Sequence, residues 1–291
     1  MKILLPVLCF CFILSCNSKD SSQKIPGNNS DKETESVQTE NTGSKEEYRV
    51  EFQQILDSSE LEGSILIYDP QSEIFYSNNF QRADSGFLPA STFKIVNSVI
   101  AIETGMVESD STMFKWNGEK RMLPEWEQDL ILRDAFHYSC VPCYQEIAIK
   151  IGSERMARYL KAFEYGEMKV DSSNIDEFWL RGDSKISQRG QINFLKKFYN
   201  SQLPVSVRTY NIMKRMMVIN DNDEYILSGK TGWSVRDGNN TGWFVGYIET
   251  GGKVFYFATN VEPKAGYKME NFAKVRSQIT MDALKKPGIL N

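Results

Sequence analysis

The sequence predicts an α/β fold of the α+β type, in which both chain ends complete one central antiparallel sheet and a helical region packs beside it. Three observations carry this. Gly63 to Asp69 and Glu73 to Ser77 read as two strands joined by the turn Pro70-Gln71-Ser72. Far downstream, Glu224 to Gly232, Gly242 to Glu249 and Lys253 to Val261 are three strand-like runs at hairpin spacing, with Gly251-Gly252 as a turn signal between the last two. Between these groups the apolar residues recur at helical spacing. Strands segregated from helices imply a sheet with helices gathered at its side.

The first residues precede any fold. Met1-Lys2 leads into Ile3 to Leu14, almost entirely apolar, ending at Ser15-Cys16. A run of about twelve is short of the roughly 20 residues a bilayer requires but suits a signal-peptide core. No alanine occurs before Ala83, so an A-x-A cleavage site is absent. Ile13-Leu14-Ser15-Cys16 instead resembles a lipobox, with Cys16 as the lipidated first residue of the mature chain, although Leu14 stands where a smaller residue is commoner. The plainer reading is an ordinary secretory signal with an incidental cysteine. On either reading the protein leaves the cytoplasm.

Residues 17 to 46 are polar and nearly devoid of large apolar side chains, so they cannot offset the entropy of ordering. The expected organisation is a signal peptide of lipoprotein type at 1–15, a flexible tether at 16–46 and a folded domain at 47–291. Within that domain Cys140 and Cys143 are the only thiols.

The folded part starts with a short helix from Glu47 carrying Val50, Phe52, Ile55 and Leu56, followed by the strand pair. Ile95, Val96, Val99, Ile100, Ala101 and Ile102 form a helix that closes at Gly105. A polar, tryptophan-containing region with short helices reaches Asp134. Tyr144 to Lys150 and Glu154 to Phe163 are helical, with Ile147, Ile149, Ile151, Met156, Tyr159 and Leu160 as the expected buried residues. Residues 166 to 185 read as a long loop, and loops of that length are often functional. Gln191 to Tyr199, Val205 to Ile219 and 268 to 285 are further helices.

Chemistry concentrates at Ser91-Thr92-Phe93-Lys94. Residues three apart on a helix lie about 5–6 Å from each other at Cβ, so Ser91 and Lys94 can share a proton. Ser91 is expected in the first helical turn, where free N–H groups favour developing negative charge. The net charge of −4 and the lack of a basic, aromatic-rich patch argue against nucleic acid. His137 is the sole histidine and no G-x-S-x-G elbow occurs, which disfavours a Ser-His-Asp triad. His137, Cys140 and Cys143 have a metal-like spacing but lack a fourth ligand, so no metal is expected. Cys140-Val141-Pro142-Cys143 mimics a redox C-x-P-C, yet the preceding Leu130 to Tyr138 looks helical rather than strand-like. Two reduced buried cysteines or a local disulfide are the plainer readings.

A serine activated by a lysine remains. S-x-x-K alone is a weak signal, and a capping serine beside a solvated lysine would be its ordinary explanation. Ser139-x-Val141 and, on a strand, Lys230-Thr231-Gly232 complete the set known from penicillin-recognising proteins.

With these motifs the chain resembles the class D β-lactamases (oxacillinases), a family with the serine β-lactamase and penicillin-binding-protein fold. Ser91 to Lys94, Ser139-x-Val141, Tyr165-Gly166, Phe178-Trp179-Leu180, Lys230-Thr231-Gly232 and Trp243-Phe244-Val245-Gly246 match in order and spacing. Trp116-x-Gly118 and Tyr144-Gln145-Glu146 add support. The resemblance covers residues 60 to 290 and implies hydrolysis of the β-lactam ring of penicillin-type antibiotics, hence resistance, by an exported bacterial periplasmic protein.

The resemblance also assigns roles. Ser91 is the implied nucleophile. Lys94 would carry CO2 as N6-carboxylysine, in a pocket of Phe93, Val141, Trp179 and Leu180, and its carbamate would be the general base. Ser139 would relay the proton and Lys230 would place charge beside it. The backbone N–H groups of Ser91 and Trp233 would form the oxyanion hole, while Thr231, Gly232, Trp233 and Arg276 would receive substrate. No other cofactor is implied, and membrane contact would come through the Cys16 lipid alone. Three departures stand out: Glu167 where the family usually has Asn, Trp233 where Tyr or Phe is commoner, and Cys140 and Cys143 flanking Val141-Pro142, where a disulfide would either set how tightly Val141 covers Lys94 or have no consequence. A β-lactam sensor that acylates without turnover, or a penicillin-binding peptidase, is the alternative.

Overall fold

The computed structural model describes residues 44–290. The first strands are β1 (Lys45–Tyr48), β2 (Leu61–Asp69) and β3 (Ile74–Ser77). A small separate ladder joins β4 (Met113–Phe114) to β5 (Leu130–Ile131), and the chain ends with β6 (Val218–Asp221), β7 (Ile226–Arg236), β8 (Asn239–Thr250) and β9 (Lys253–Pro263). The main sheet runs β1-β3-β2-β9-β8-β7-β6. Neighbours are antiparallel except β1, which pairs parallel with β3. The two ends of the chain meet at β2 and β9, in register from Leu61 opposite Pro263 to Tyr68 opposite Tyr256.

Side chains alternate across a strand, and here both sheet faces are covered. Leu66, Tyr68, Val245, Tyr247, Tyr256 and Ala258 face the large core shared with the helical region. Ile65, Ile67, Phe244, Ile248, Phe257 and Val261 face α1 (Val50–Ser58) and the last helix, Phe272–Lys285. Double burial explains why β2 reads as a nearly continuous apolar run. Between β3 and β6 lie α2 (Phe80–Asp84), α3 (Lys94–Glu103), α4 (Leu132–His137), α5 (Val141–Ile151), α6 (Ser153–Phe163), α7 (Gln188–Tyr199) and α8 (Val207–Met217); Phe272–Lys285 is α9.

Several local expectations are corrected. β1 has the sequence Lys-Glu-Glu-Tyr, whose charges suit a sheet edge but hide it from hydrophobic patterning. It starts two residues before the expected domain boundary. The helix expected to reach Ile219 stops at Met217, because Val218 turns into the opposite edge strand, with a bulge between Val218 and Asn220. Leu130-Ile131 is strand, and the helix follows it. Ile149 is 59% exposed, whereas Ile147 and Ile151, four residues apart, are buried. The Gly251-Gly252 turn is as expected, with φ of 56° and 73°, the left-handed pair that a two-residue hairpin turn demands.

Candidate active site

Ser91 sits in a single 3-10 turn, Ala90–Phe93, that runs directly into α3 at Lys94. It therefore stands one turn ahead of the α-helix rather than within its first turn. Ala90 holds a left-handed φ of 50°, a strained setting for a residue with a Cβ. The surroundings hold it there. Ala90 N donates to Trp179 O at 2.9 Å, and Thr92 donates through N and Oγ1 to Pro89 O at 3.1 and 2.7 Å. Gln191 Nε2, from α7, donates to Thr92 Oγ1 at 2.9 Å, and the Tyr165 hydroxyl donates to Gln191 Oε1 at 3.3 Å. Trp243 Nε1, on β8, donates to Leu88 O at 2.9 Å. No local pattern encodes the contacts of Gln191 and the Trp243 indole, whose partners lie 99 and 155 positions away.

Lys94 is wholly buried, and its Nζ donates to Ser91 Oγ at 3.1 Å. The amine also lies 5.0 Å from the centre of the Tyr144 ring. Phe93, next in sequence, stacks on Trp179 with centroids 5.2 Å apart. Val141 and Leu180, half-buried, pack against the same apolar cluster. Burial first, and the nearby charge of Lys230 second, push the Lys94 amine well below its ordinary pKa. Trp179 is fully buried, and its indole N–H has no hydrogen-bond partner among the described residues.

The facing wall is β7. Gly232 lets the strand lie against the serine turn: a Cβ there would stand 3.1 Å from Pro89 O and 3.2 Å from Thr92 N. Lys230 Nζ donates to Ser139 Oγ at 2.6 Å and to Thr231 O at 3.1 Å. Its pKa is pushed down to about 7, mainly by burial and then by Arg276. Ser139 is the middle residue of the 138–140 linker between α4 and α5 and holds a left-handed φ of 55°.

Arg276 reaches the same wall from α9, behind the strand. It donates to the carbonyl of Gly232 and, through Nε, to Phe272 O at 3.0 Å. Burial lowers its pKa to about 10. Gly242 on β8 leaves room for it, because a Cβ there would fall 2.5 Å from Arg276 Cδ. Trp233 forms the rim, 39% exposed, with Nε1 donating to Asn240 Oδ1 at 2.9 Å.

A half-buried serine beside a buried lysine, faced by a hydroxyl–lysine pair and a strand-borne Thr-Gly, is an arrangement suited to acyl transfer. Residues 60–285 match the penicillin-binding-protein transpeptidase domain. β-Lactamase OXA-48 of Klebsiella pneumoniae is 40% identical over 229 residues, covering 79% of this chain and 84% of that protein. The solved class D β-lactamase of Sebaldella termitidis is 36% identical, covers 86% of this chain and 100% of its own, and superposes with a TM-score of 0.81. The chain belongs to the class D β-lactamases. Regulatory protein BlaR1 of Bacillus licheniformis is more distant, at 29% identity over 85% of this chain and 40% of its own length.

The family frame gives the departures a physical reading. Glu167 has an exposed side chain. Its backbone makes the contacts that close the 166–185 loop, N to Lys185 O at 2.8 Å and O from Lys185 N at 2.9 Å. A Cβ on the preceding Gly166 would lie 2.5 Å from Lys185 O, at a φ of 60°. The turn thus depends on the glycine and tolerates the glutamate. Cys140 and Cys143 form a disulfide across the first turn of α5, one of the two plain readings of that pair. His137 ends α4 with its side chain at the surface. Among the described residues no cluster of three or more His, Cys, Asp or Glu side chains has metal-binding geometry.

Proposed function

We propose that this chain hydrolyses penicillin-type β-lactams through an acyl-enzyme on Ser91, conferring resistance to them. The observation that carries the reading is the Lys94 amine, wholly buried, pushed well below its ordinary pKa by that burial and 3.1 Å from Ser91 Oγ. Ser91 Oγ gives its proton to the Lys94 side chain and attacks the lactam carbonyl carbon, and the ring C–N bond breaks. The leaving nitrogen takes its proton from the Ser139 hydroxyl, which is replenished through Lys230 Nζ. Backbone N–H groups of Ser91 and Trp233 receive the oxyanion, each such donor being worth about 10²–10³ in rate. Thr231 and Arg276 hold the substrate carboxylate, an anion suited to a guanidinium. Gly232 and Trp233 shape the strand edge on which it lies. Water then cleaves the Ser91 ester and frees the ring-opened product.

The pocket fits a carboxylated Lys94. A deprotonated amine is the form that takes up CO2, and the unpartnered Trp179 indole N–H is a donor lacking an acceptor in a site where a buried orphan costs about 1–3 kcal/mol. Lys94 and Trp179 would hold the group, with Phe93, Val141 and Leu180 as its apolar walls. When present it supplies the general base at Ser91. No metal or further cofactor is needed.

The likeness to BlaR1 favours one second reading, a sensor that acylates and stays acylated. Incubation with penicillin followed by intact mass separates the two: turnover with a transient adduct supports the hydrolase, and an adduct lasting hours overturns it. Added bicarbonate should raise turnover, and Lys94→Ala should acylate poorly and deacylate worse. Near-native turnover by that variant would exclude the lysine from the mechanism.

We also propose export, with residues 1–15 as signal, Cys16 lipidated and residues 16–46 as tether to a periplasmic domain. The leader, Cys16 and most of the tether lie outside the described residues. Cys16→Ser should move the protein from the membrane fraction to the soluble fraction. Among the described residues no helix is long and apolar enough to cross a membrane.

A further inference from the structure

The reaction above leaves the Cys140–Cys143 bond unused. That bond lies directly against Ser139, the middle one of the three residues (138–140) that join α4 to α5. On its upstream side Ser139 is tied by backbone bonds, its own N to Phe136 O at 3.2 Å and Cys140 N to Ala135 O at 2.9 Å. On its downstream side the tie is different. Cys140 occupies the N-cap of α5, a position where Ser, Thr, Asp or Asn normally supplies an oxygen. Here the only cap is Cys140 Sγ, 3.3 Å from Cys143 N. Sulfur is a weak acceptor, so the covalent bond does what the cap hydrogen bond does elsewhere.

Two further facts point the same way. Ser139 sits at a left-handed φ of 55°, which a residue with a Cβ holds only when its neighbours over-determine it. Its hydroxyl is also the group that Lys230 Nζ contacts at 2.6 Å, across the cleft from β7. The disulfide, by contrast, closes a loop with only Val141 and Pro142 between its ends. Loop-closure stabilisation grows with loop length, so a loop this short gains little globally. Its Cα atoms stand 5.5 Å apart, within the ordinary range for a bridge, and both cysteines are buried. The bond is placed to fix local geometry rather than to staple the domain.

We propose that the Cys140–Cys143 disulfide is a positioning device for Ser139, holding the linker in its left-handed turn so that the hydroxyl stays aimed at Lys230 and at the leaving nitrogen. The inference rests on the acyl-transfer reading of the site. The Val141 side chain, inside the same loop, is carried along by the clamp.

The test is a double-mutant cycle on the full chain. Alkylation should leave Cys140 and Cys143 unmodified until dithiothreitol reduces the bond to two thiols, closing its own ring disulfide as it does so. Cys140→Ser with Cys143→Ser keeps an N-cap oxygen and removes only the crosslink. In that variant the rate constant for acylation by penicillin should fall about 10-fold, as expected for a relay group displaced by a fraction of an ångström. In a Ser139→Ala background the same pair of substitutions should change acylation less than about 2-fold, while the melting temperature falls equally in both backgrounds. If acylation falls equally with and without Ser139, or does not fall at all, the disulfide is a structural staple and the proposal is overturned. Ready alkylation without reductant overturns it as well. Should the paired variant fail to fold, the reduced wild-type and Ser139→Ala chains complete the same cycle. Failure of the acyl-transfer reading is separate and visible in the first step, as absence of a penicillin adduct on the wild-type chain.

Discussion

The two walls of the active site handle buried positive charge in different ways. On the helical wall Lys94 is sealed among Phe93, Tyr144, Trp179 and their neighbours, and its one side-chain hydrogen bond goes to Ser91. On the strand wall Lys230 and Arg276 are buried too, but they are satisfied by polar atoms: Ser139 Oγ and Thr231 O for one, and the carbonyls of Phe272, Ala273 and Gly232 for the other. None of the three has a carboxylate partner among the described residues. An unpaired buried charge is costly. Burial pulls the pKa of both lysines down, and the arginine keeps its charge behind a fence of carbonyl oxygens. The helical wall thus encloses its lysine among apolar side chains, whereas the strand wall gives its cations polar partners and leaves an exposed rim at Trp233.

The largest effect that would break this division is at the nucleophile. Ser91→Ala should abolish covalent labelling by penicillin and lower turnover by at least about 10⁴-fold, as loss of a nucleophilic serine does elsewhere. Residual labelling, seen by mass, would move the chemistry to another residue. Next comes Arg276→Ala, which should raise KM about 10²-fold and change kcat less, because it removes a charge-assisted contact to substrate. A loss confined to kcat would place Arg276 on the chemical side of the site.

Trp179→Phe preserves the stack on Phe93 and deletes the unpartnered N–H. Turnover should fall about 10-fold without added bicarbonate, the size of one charge-assisted hydrogen bond, and recover as bicarbonate is raised. A defect indifferent to bicarbonate would separate the indole from Lys94.

Lys230→Met addresses the proton side directly. In the folded chain burial pushes the Lys230 pKa down to about 7 from its ordinary 10.5 in the unfolded chain. Between those values the unfolded state binds more protons, so stability rises with pH. The variant should lose about 1 kcal/mol of that rise per pH unit between about pH 7.5 and 9, read from urea unfolding. An unchanged slope would mean that Lys230 stays protonated in the fold. The smallest effect is expected for Glu167→Asn, within about 0.5 kcal/mol in stability, since the turn is made by its backbone and by Gly166.

Much of this protein is determined by the sequence alone. The hairpin at 63–77, the three C-terminal strands and the Gly251-Gly252 turn follow from period-2 patterning and turn chemistry, which are local. The motif residues Ser91, Lys94, Ser139 and Lys230 are legible because their chemistry demands those residue types in that order. The edge strands at Lys45 and Val218 are not legible, because short strands with charged or solvent-facing side chains carry no hydrophobic period. Nor is the support beneath the serine turn, where Gln191, Tyr165 and Trp243 act across distances that no local pattern encodes. The left-handed settings of Ala90 and Ser139 likewise have no mark in the residues themselves. Only tertiary packing decides them, because a strained backbone persists only where contacts from several elements leave it no alternative.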